Sequence, residues 1–145
     1  MFSVYRISLA LLLFCSLVFV GCDSSDSDDD MDDPPMLEAT LSSIQANIFS
    51  TTCATSGCHA GEFPQRDLDL ADGNAFASLV NVASMGVPDL LLVNPSNADS
   101  SYLIWKLEGN AGIAGDRMPR SGPPFLTDDQ IGVVRQWIDA GAMDN

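Results

Sequence analysis

The chain has 145 residues, room for one ordinary domain plus targeting and linker sequence. Its formal net charge is −14, from 6 Lys+Arg against 20 Asp+Glu, a surface that repels phosphate backbones and argues against nucleic-acid binding. A basic protein partner or a high-salt habitat fits it better.

Arg6 is followed by an apolar run of 14 residues, Ile7 to Val20, broken only by Ser8 and Ser16. A spanning helix needs about 20 apolar residues, so residues 1–21 read as an export signal. The run closes on Val18-Phe19-Val20-Gly21-Cys22 and gives way at once to an Asp/Ser tail. This junction resembles a bacterial lipobox, with Phe19 where that motif usually carries leucine. The resemblance implies that Cys22 is lipidated and that the protein is exported and anchored to a bacterial membrane, in the periplasm or at the cell surface. Plain secretion and an uncleaved anchor are the alternatives.

Seven Asp lie between Asp23 and Asp33, and the segment ends in Pro34-Pro35. It has too little apolar content to offset the entropy of ordering a chain, so residues 22–36 are expected to form an extended, lipidated tether. The folded domain is then 37–145, in which thirteen acidic residues still outnumber five basic ones.

Within that domain, Leu37, Leu41, Ile44 and Ile48 fall at helical spacing, with Thr40 as a cap, and predict a helix leading into Cys53. Shorter helices are predicted around Asn74–Val80 and Asp99–Leu107. Tyr102, Leu103, Trp105 and Leu107 are too crowded for one stripe, so part of the second should face something large and apolar. Glu108 to Phe125 is rich in Gly and Pro and reads as one long loop, unusual in a compact domain unless functional or disordered. Thr127-Asp128-Asp129-Gln130 has capping-box spacing. Behind it Ile131, Val134, Trp137 and Ile138 form one apolar face that ends at Gly141. Apart from the short apolar run Leu90–Val93 there is no strand-like alternation and no repeat. The expected architecture is all-α, with the first and last helices packed together.

The segment that carries chemistry is Cys53-Ala54-Thr55-Ser56-Gly57-Cys58-His59, which contains the only histidine. Two thiols with an imidazole directly after the second is the pattern of c-type haem attachment, in which the thiols add across the vinyl groups and the histidine ligates the iron. Four residues separate the cysteines instead of the usual two; Ser56-Gly57 can let the extra residues loop outward, since glycine tolerates positive φ. A Cys53–Cys58 disulfide, with His59 an ordinary surface residue, is the plainer alternative in an oxidising compartment. Zinc fits less well, because a structural site wants four Cys/His ligands and this domain offers three. Cys15 would leave with the signal, so no cysteine is left over.

The order of features from Ile48 to Ala142 resembles the cytochrome c-like domains of the planctomycete type. The resemblance rests on the Cys-Cys-His segment after an amphipathic helix, Leu68-Asp69-Leu70, the helix start from Pro95 to Leu103, Arg117-Met118-Pro119, and the closing Trp137-Ile138-Asp139-Ala140-Gly141-Ala142. It implies a small all-α domain around one covalent haem c, with Met118 as the distal ligand opposite His59. Having a single histidine agrees, since bis-histidine ligation within a monomer is then impossible and a thioether is the natural second axial ligand. Met85 is the runner-up, and Met143 is close to the terminus. Arg117 and Arg120 flank Met118 and either pair with haem propionates or stand as solvated charges. Trp105 and Trp137 read as core.

With both axial positions filled by side chains, the expected activity is one-electron transfer between redox partner proteins rather than an enzymatic reaction. Asp128 and Asp129 are explained by the helix dipole and are assigned no catalysis. A redox-inert lipoprotein binding module stapled by Cys53–Cys58 is the competing reading. A third has Met118 off the iron, leaving a coordination site open for peroxidase or gas-sensing chemistry. The domain is expected to act as a monomer.

Overall fold

Thr40 starts the first helix as expected, its hydroxyl accepting the Ser43 amide at 3.2 Å. This is seen in a computed structural model that describes residues 36–145. The expected signal segment 1–21, the Cys22 lipidation site and the tether through Pro35 lie outside the described residues.

Helix α1 covers Leu41–Ile44 and continues without a break as a π-helix over Gln45–Cys53. The Ala54 amide donates to the Phe49 carbonyl, five residues back, at 2.7 Å. Polar side chains account for the wider pitch. Asn47 Nδ2 donates to the Ser43 carbonyl at 2.8 Å, and the Thr51 hydroxyl donates to the Asn47 carbonyl at 2.9 Å. Each takes a carbonyl that an α-helix would give to the amide four residues on, and the ladder shifts by one. Leu41, Ile44, Ile48 and Phe49 are buried, so the predicted apolar face does point inward.

Helix α2 is Ala75–Leu79, shorter than the sequence suggested. The next predicted helix is divided: Ala98–Ser100 forms a 3₁₀ turn, Ser101 is extended, and α3 runs from Tyr102 to Glu108. Ser101 is fully buried, its hydroxyl donating to the Asn97 carbonyl and accepting the Asn94 amide, both at 2.9 Å. Those bonds hold it out of helical conformation. Helix α4 is Asp128–Asp139, opened by the full Thr127/Gln130 capping box. Isolated bridges link Val80 with Val93, Ala83 with Leu91 and Leu91 with Ser101, and no longer strand forms among the described residues. The domain is helix-rich.

Helix α4 packs against both α1 and α3, as the expected pairing of first and last helices requires. Its Ile131, Val134, Trp137 and Ile138 join Ile44, Ile48, Phe49, Leu79, Ile104 and Leu107 in one core. The crowded face of α3 is covered by the chain itself. Tyr102, Leu103, Ile104 and Leu107 are buried in that core. Trp105 lies under Gly112, where a Cβ would come within 2.9 Å of its ring.

The long loop after α3 is ordered by bonds back to that helix. Gly109 ends α3 at φ 75°, a left-handed conformation that favours glycine, with the Arg117 side chain lying against it. Beyond it, the Ala114 amide donates to the Tyr102 hydroxyl at 2.9 Å, Lys106 Nζ donates to the carbonyls of Ala114 and Asp116, and Arg117 Nε donates to the Leu107 carbonyl at 2.6 Å.

Candidate functional site

The π-helix delivers Cys53 to the edge of the core, half-buried, and the chain then turns outward through Thr55, Ser56 and Gly57, all exposed. Gly57 takes φ 81°, a left-handed conformation that favours glycine. The Cys58 amide donates to the Thr55 carbonyl at 2.9 Å, and the His59 amide donates back to the Cys53 carbonyl at 3.2 Å. That second bond brings the His59 main chain back to Cys53 in spite of the five intervening residues. The extra residues loop outward, as Ser56-Gly57 suggested.

Both cysteines are free thiols, Cys53 half-buried and Cys58 exposed. Burial, with the neighbouring Cys58 adding to it, pushes the Cys53 thiol up to about 11. The two sulfurs therefore differ in reactivity, since the thiolate is the nucleophile. In the reduced chain at pH 8, iodoacetamide is expected to label Cys58 well before Cys53, with Cys53 labelling accelerating as the pH rises toward 11. Peptide mass mapping over time measures both rates, and equal rates would contradict the burial of Cys53.

His59 has a half-buried ring whose Nδ1 is buried without a hydrogen-bond partner. Burial lowers its pKa. The carbonyls of Leu68 and Gln65 lie close enough to oppose that shift without making a hydrogen bond of good geometry, and the Lys106 charge lowers it further. The main chain is fixed more firmly: the Leu70 amide donates to the His59 carbonyl at 2.8 Å, and the Gln65 amide donates to the Cys58 carbonyl at 2.7 Å. Residues 65–70 thus form a strap across the Cys-His segment.

Met118 packs, half-buried, against the same core that Cys53 and Leu68 border. Its amide donates to the Lys106 carbonyl at 2.8 Å, which ties it to the residue whose charge is felt at His59. Met85 and Met143 are 56% and 61% exposed. Arg117 lies over the Phe125 ring at 4.3 Å, and Arg120 pairs with Asp116 at 3.1 Å on the open surface, so each has a partner within the chain. Trp137 is buried, and Trp105 donates through Nε1 to the Asp99 carbonyl at 2.7 Å. Asp128 and Asp129 are exposed in the first turn of α4.

No protein-family model, curated protein or solved structure matches the chain.

Among the described residues no group of three or more His, Cys, Asp or Glu is arranged to hold a metal ion by itself. The donor set suits a prosthetic group that supplies most of its own coordination. It offers two free thiols, an imidazole adjoining the second, a buried ring nitrogen without a partner, and a half-buried thioether packed against the same core. A metal-ligating histidine donates through its second nitrogen to an acceptor such as a backbone carbonyl. Two surface hollows lie elsewhere, one of about 330 Å³ beside Leu41, Asp72 and Phe76 and one of about 200 Å³ beside Glu108, Asp128 and Arg135. Neither is lined by Cys53, Cys58, His59 or Met118.

Sequence reasoning passed over Gln45, Lys106 and the 65–70 carbonyls. Gln45 carried a signal, being polar and four residues after Leu41 on an apolar face. Backbone carbonyls carry none.

Proposed function

We propose that this is a lipid-anchored monohaem c-type cytochrome of the cytochrome c-like class, which passes single electrons between redox partner proteins. Haem c would be held by thioethers from Cys53 and Cys58, with His59 as proximal and Met118 as distal ligand. The observation that carries this reading is the buried, unpartnered Nδ1 of His59 in a residue joined directly to a free thiol. A surface histidine beside a structural disulfide has no reason to bury a ring nitrogen without a partner, because an unsatisfied polar atom costs about 1–3 kcal/mol. An axial histidine has one, since ligation would fix the ring and leave its second nitrogen turned inward, where the carbonyls of Leu68 and Gln65 lie near it without bonding to it here.

Bound haem supplies a one-electron iron couple, and thioether ligation favours a raised potential. The protein's part is to present the two thiols at either end of the outward turn, to fix the Cys58-His59 main chain through the 65–70 strap, and to present the Met118 sulfur from a loop tied to α3. With haem bound, the chain would take an electron from a reduced partner and pass it to an oxidised one, with no bond made or broken in the chain.

Among the described residues no helix is long and apolar enough to cross a membrane. In the proposed arrangement, attachment falls to lipid on Cys22, outside the bacterial cytoplasm. The acidic surface suits a basic redox partner.

The test is intact mass of protein made in a host with c-type haem-attachment machinery. The expected result is one added haem, lost in Cys53→Ala/Cys58→Ala, with Cys22→Ser moving the protein from the membrane to the soluble fraction. Wild-type protein at the mass of the bare processed chain, two hydrogens lighter, would favour the disulfide-stapled binding module.

A further inference from the structure

Gln45, Ser84 and Ser101 are the polar residues buried in this domain. Ser84 accepts the Gly86 and Val87 amides, and Ser101 bonds to Asn94 and Asn97, so both serve their own turns. Gln45 does something different. From the first turn of the π-helix its Nε2 donates to Ser50 Oγ at 2.9 Å and, 25 residues along the chain, to the Leu70 carbonyl at 3.0 Å. The Leu70 amide in turn donates to the His59 carbonyl at 2.8 Å. Two bonds therefore connect the Gln45 amide to the His59 backbone through a single peptide-linked residue.

The same strap carries the carbonyls of Leu68 and Gln65, which lie near the His59 ring without bonding to it. Asp69 stiffens it, accepting the Ala71 amide at 2.9 Å and Asn74 Nδ2 at 2.7 Å. An apolar side chain at position 45 would suit its place on the buried face between Leu41 and Phe49. A buried amide is kept there at a desolvation cost that only its hydrogen bonds offset.

We infer that Gln45 is a positioning residue for His59, clamping the 65–70 strap whose Leu70 amide holds the His59 main chain beside it. The inference rests on the haem reading for its consequence. The strap carbonyls do not bond to Nδ1 here; with haem bound, a carbonyl accepting from that nitrogen would make the ligand more basic and favour ferric iron. Releasing the clamp should weaken that contact and raise the reduction potential while leaving the Met118 side untouched.

The experiment is spectroelectrochemistry on holoprotein. Gln45→Met, close in size but without a donor, and Gln45→Asn, which keeps the amide but is one methylene short of Leu70, should both keep covalent haem and the thioether band and shift the potential upward. Ser50→Ala removes only the other acceptor and should leave the potential at the wild-type value. Wild-type potentials in both Gln45 variants would overturn the inference while the cytochrome reading stood. Wild-type protein without covalent haem would instead overturn that reading. Should neither Gln45 variant fold, hydrogen exchange on the wild-type chain decides. The Leu70 amide is expected among the slowly exchanging ones, and exchange as fast as that of the exposed 61–63 turn would show that no clamp exists.

Discussion

Met118→Ala is expected to retain covalent haem, to lose the long-wavelength thioether-to-iron absorption band and to fall in reduction potential. Haem potentials range over roughly 0.8 V with axial ligation, and replacing a thioether by water or an adventitious ligand moves a haem toward the lower part of that range. Cys53, Cys58 and His59 are independent of the Met118 loop, since their turn is closed by the His59–Cys53 and Gln65–Cys58 backbone bonds. Attachment should therefore survive the substitution. The fold should survive as well: Met118 sits at the core's margin, and the loop keeps its Lys106, Tyr102 and Arg117 bonds. Met85→Ala is the control, because Met85 is more than half exposed and should change neither band nor potential. If the thioether band disappeared in Met85→Ala and persisted in Met118→Ala, the distal assignment would pass to Met85. If wild-type protein showed no such band and its spectrum changed on adding small iron ligands, the open-site reading would replace electron transfer.

Trp137→Ala should be the most damaging single core substitution, at about 3–5 kcal/mol. Against the roughly 5–15 kcal/mol that holds a small domain together, that is a large share. Trp137 is 1% exposed in the centre of the core. Its Nε1 donates to the Met143 carbonyl at 2.8 Å, and its own carbonyl accepts the Ala142 amide at 2.9 Å. The tail so held reaches α1, where Asn145 accepts the Ser42 amide at 2.7 Å and, through its side chain, the Leu41 amide at 3.0 Å. Losing the indole therefore opens a cavity and loosens the N-terminal end of α1 as well. With an m-value near 2 kcal/mol/M, the urea midpoint should fall by about 1.5–2.5 M. Trp137→Phe keeps most of the burial and gives up the hydrogen bond, so it should cost about 1 kcal/mol. Trp105→Ala, on the partly exposed side of α3, should cost much less than Trp137→Ala. Equal losses at the two positions would mean that the core is not centred on α4.

Much of the helical framework could be read from spacing because its signals are local. Thr127 and Gln130 lie three residues apart and bond to each other's backbone; Thr40 does the same work for α1, and the apolar positions of α4 follow one face. What spacing could not supply were consequences of contacts distant in sequence or of competition within a turn. The π pitch arises from Asn47 and Thr51 bonding to carbonyls in their own helix, and Ser101 interrupts the third helix for a similar reason. The crowding of apolar residues on α3 suggested a large apolar neighbour, yet the core and the Gly112 loop already cover that helix. At the site, the residue types that matter were visible as a motif. Their main chain is held by the strap at 65–70 through backbone bonds, which leave no trace in residue identity, whereas Gln45, bonded to the Leu70 carbonyl, stood out only as a polar residue on an apolar face.

The most direct measurement is the reduced-minus-oxidised visible spectrum of the full chain produced with haem-attachment machinery, repeated after acid-acetone extraction. A c-type band that survives extraction is the predicted result. A colourless protein with Cys53 and Cys58 oxidised to each other would contradict it and leave a stapled binding module.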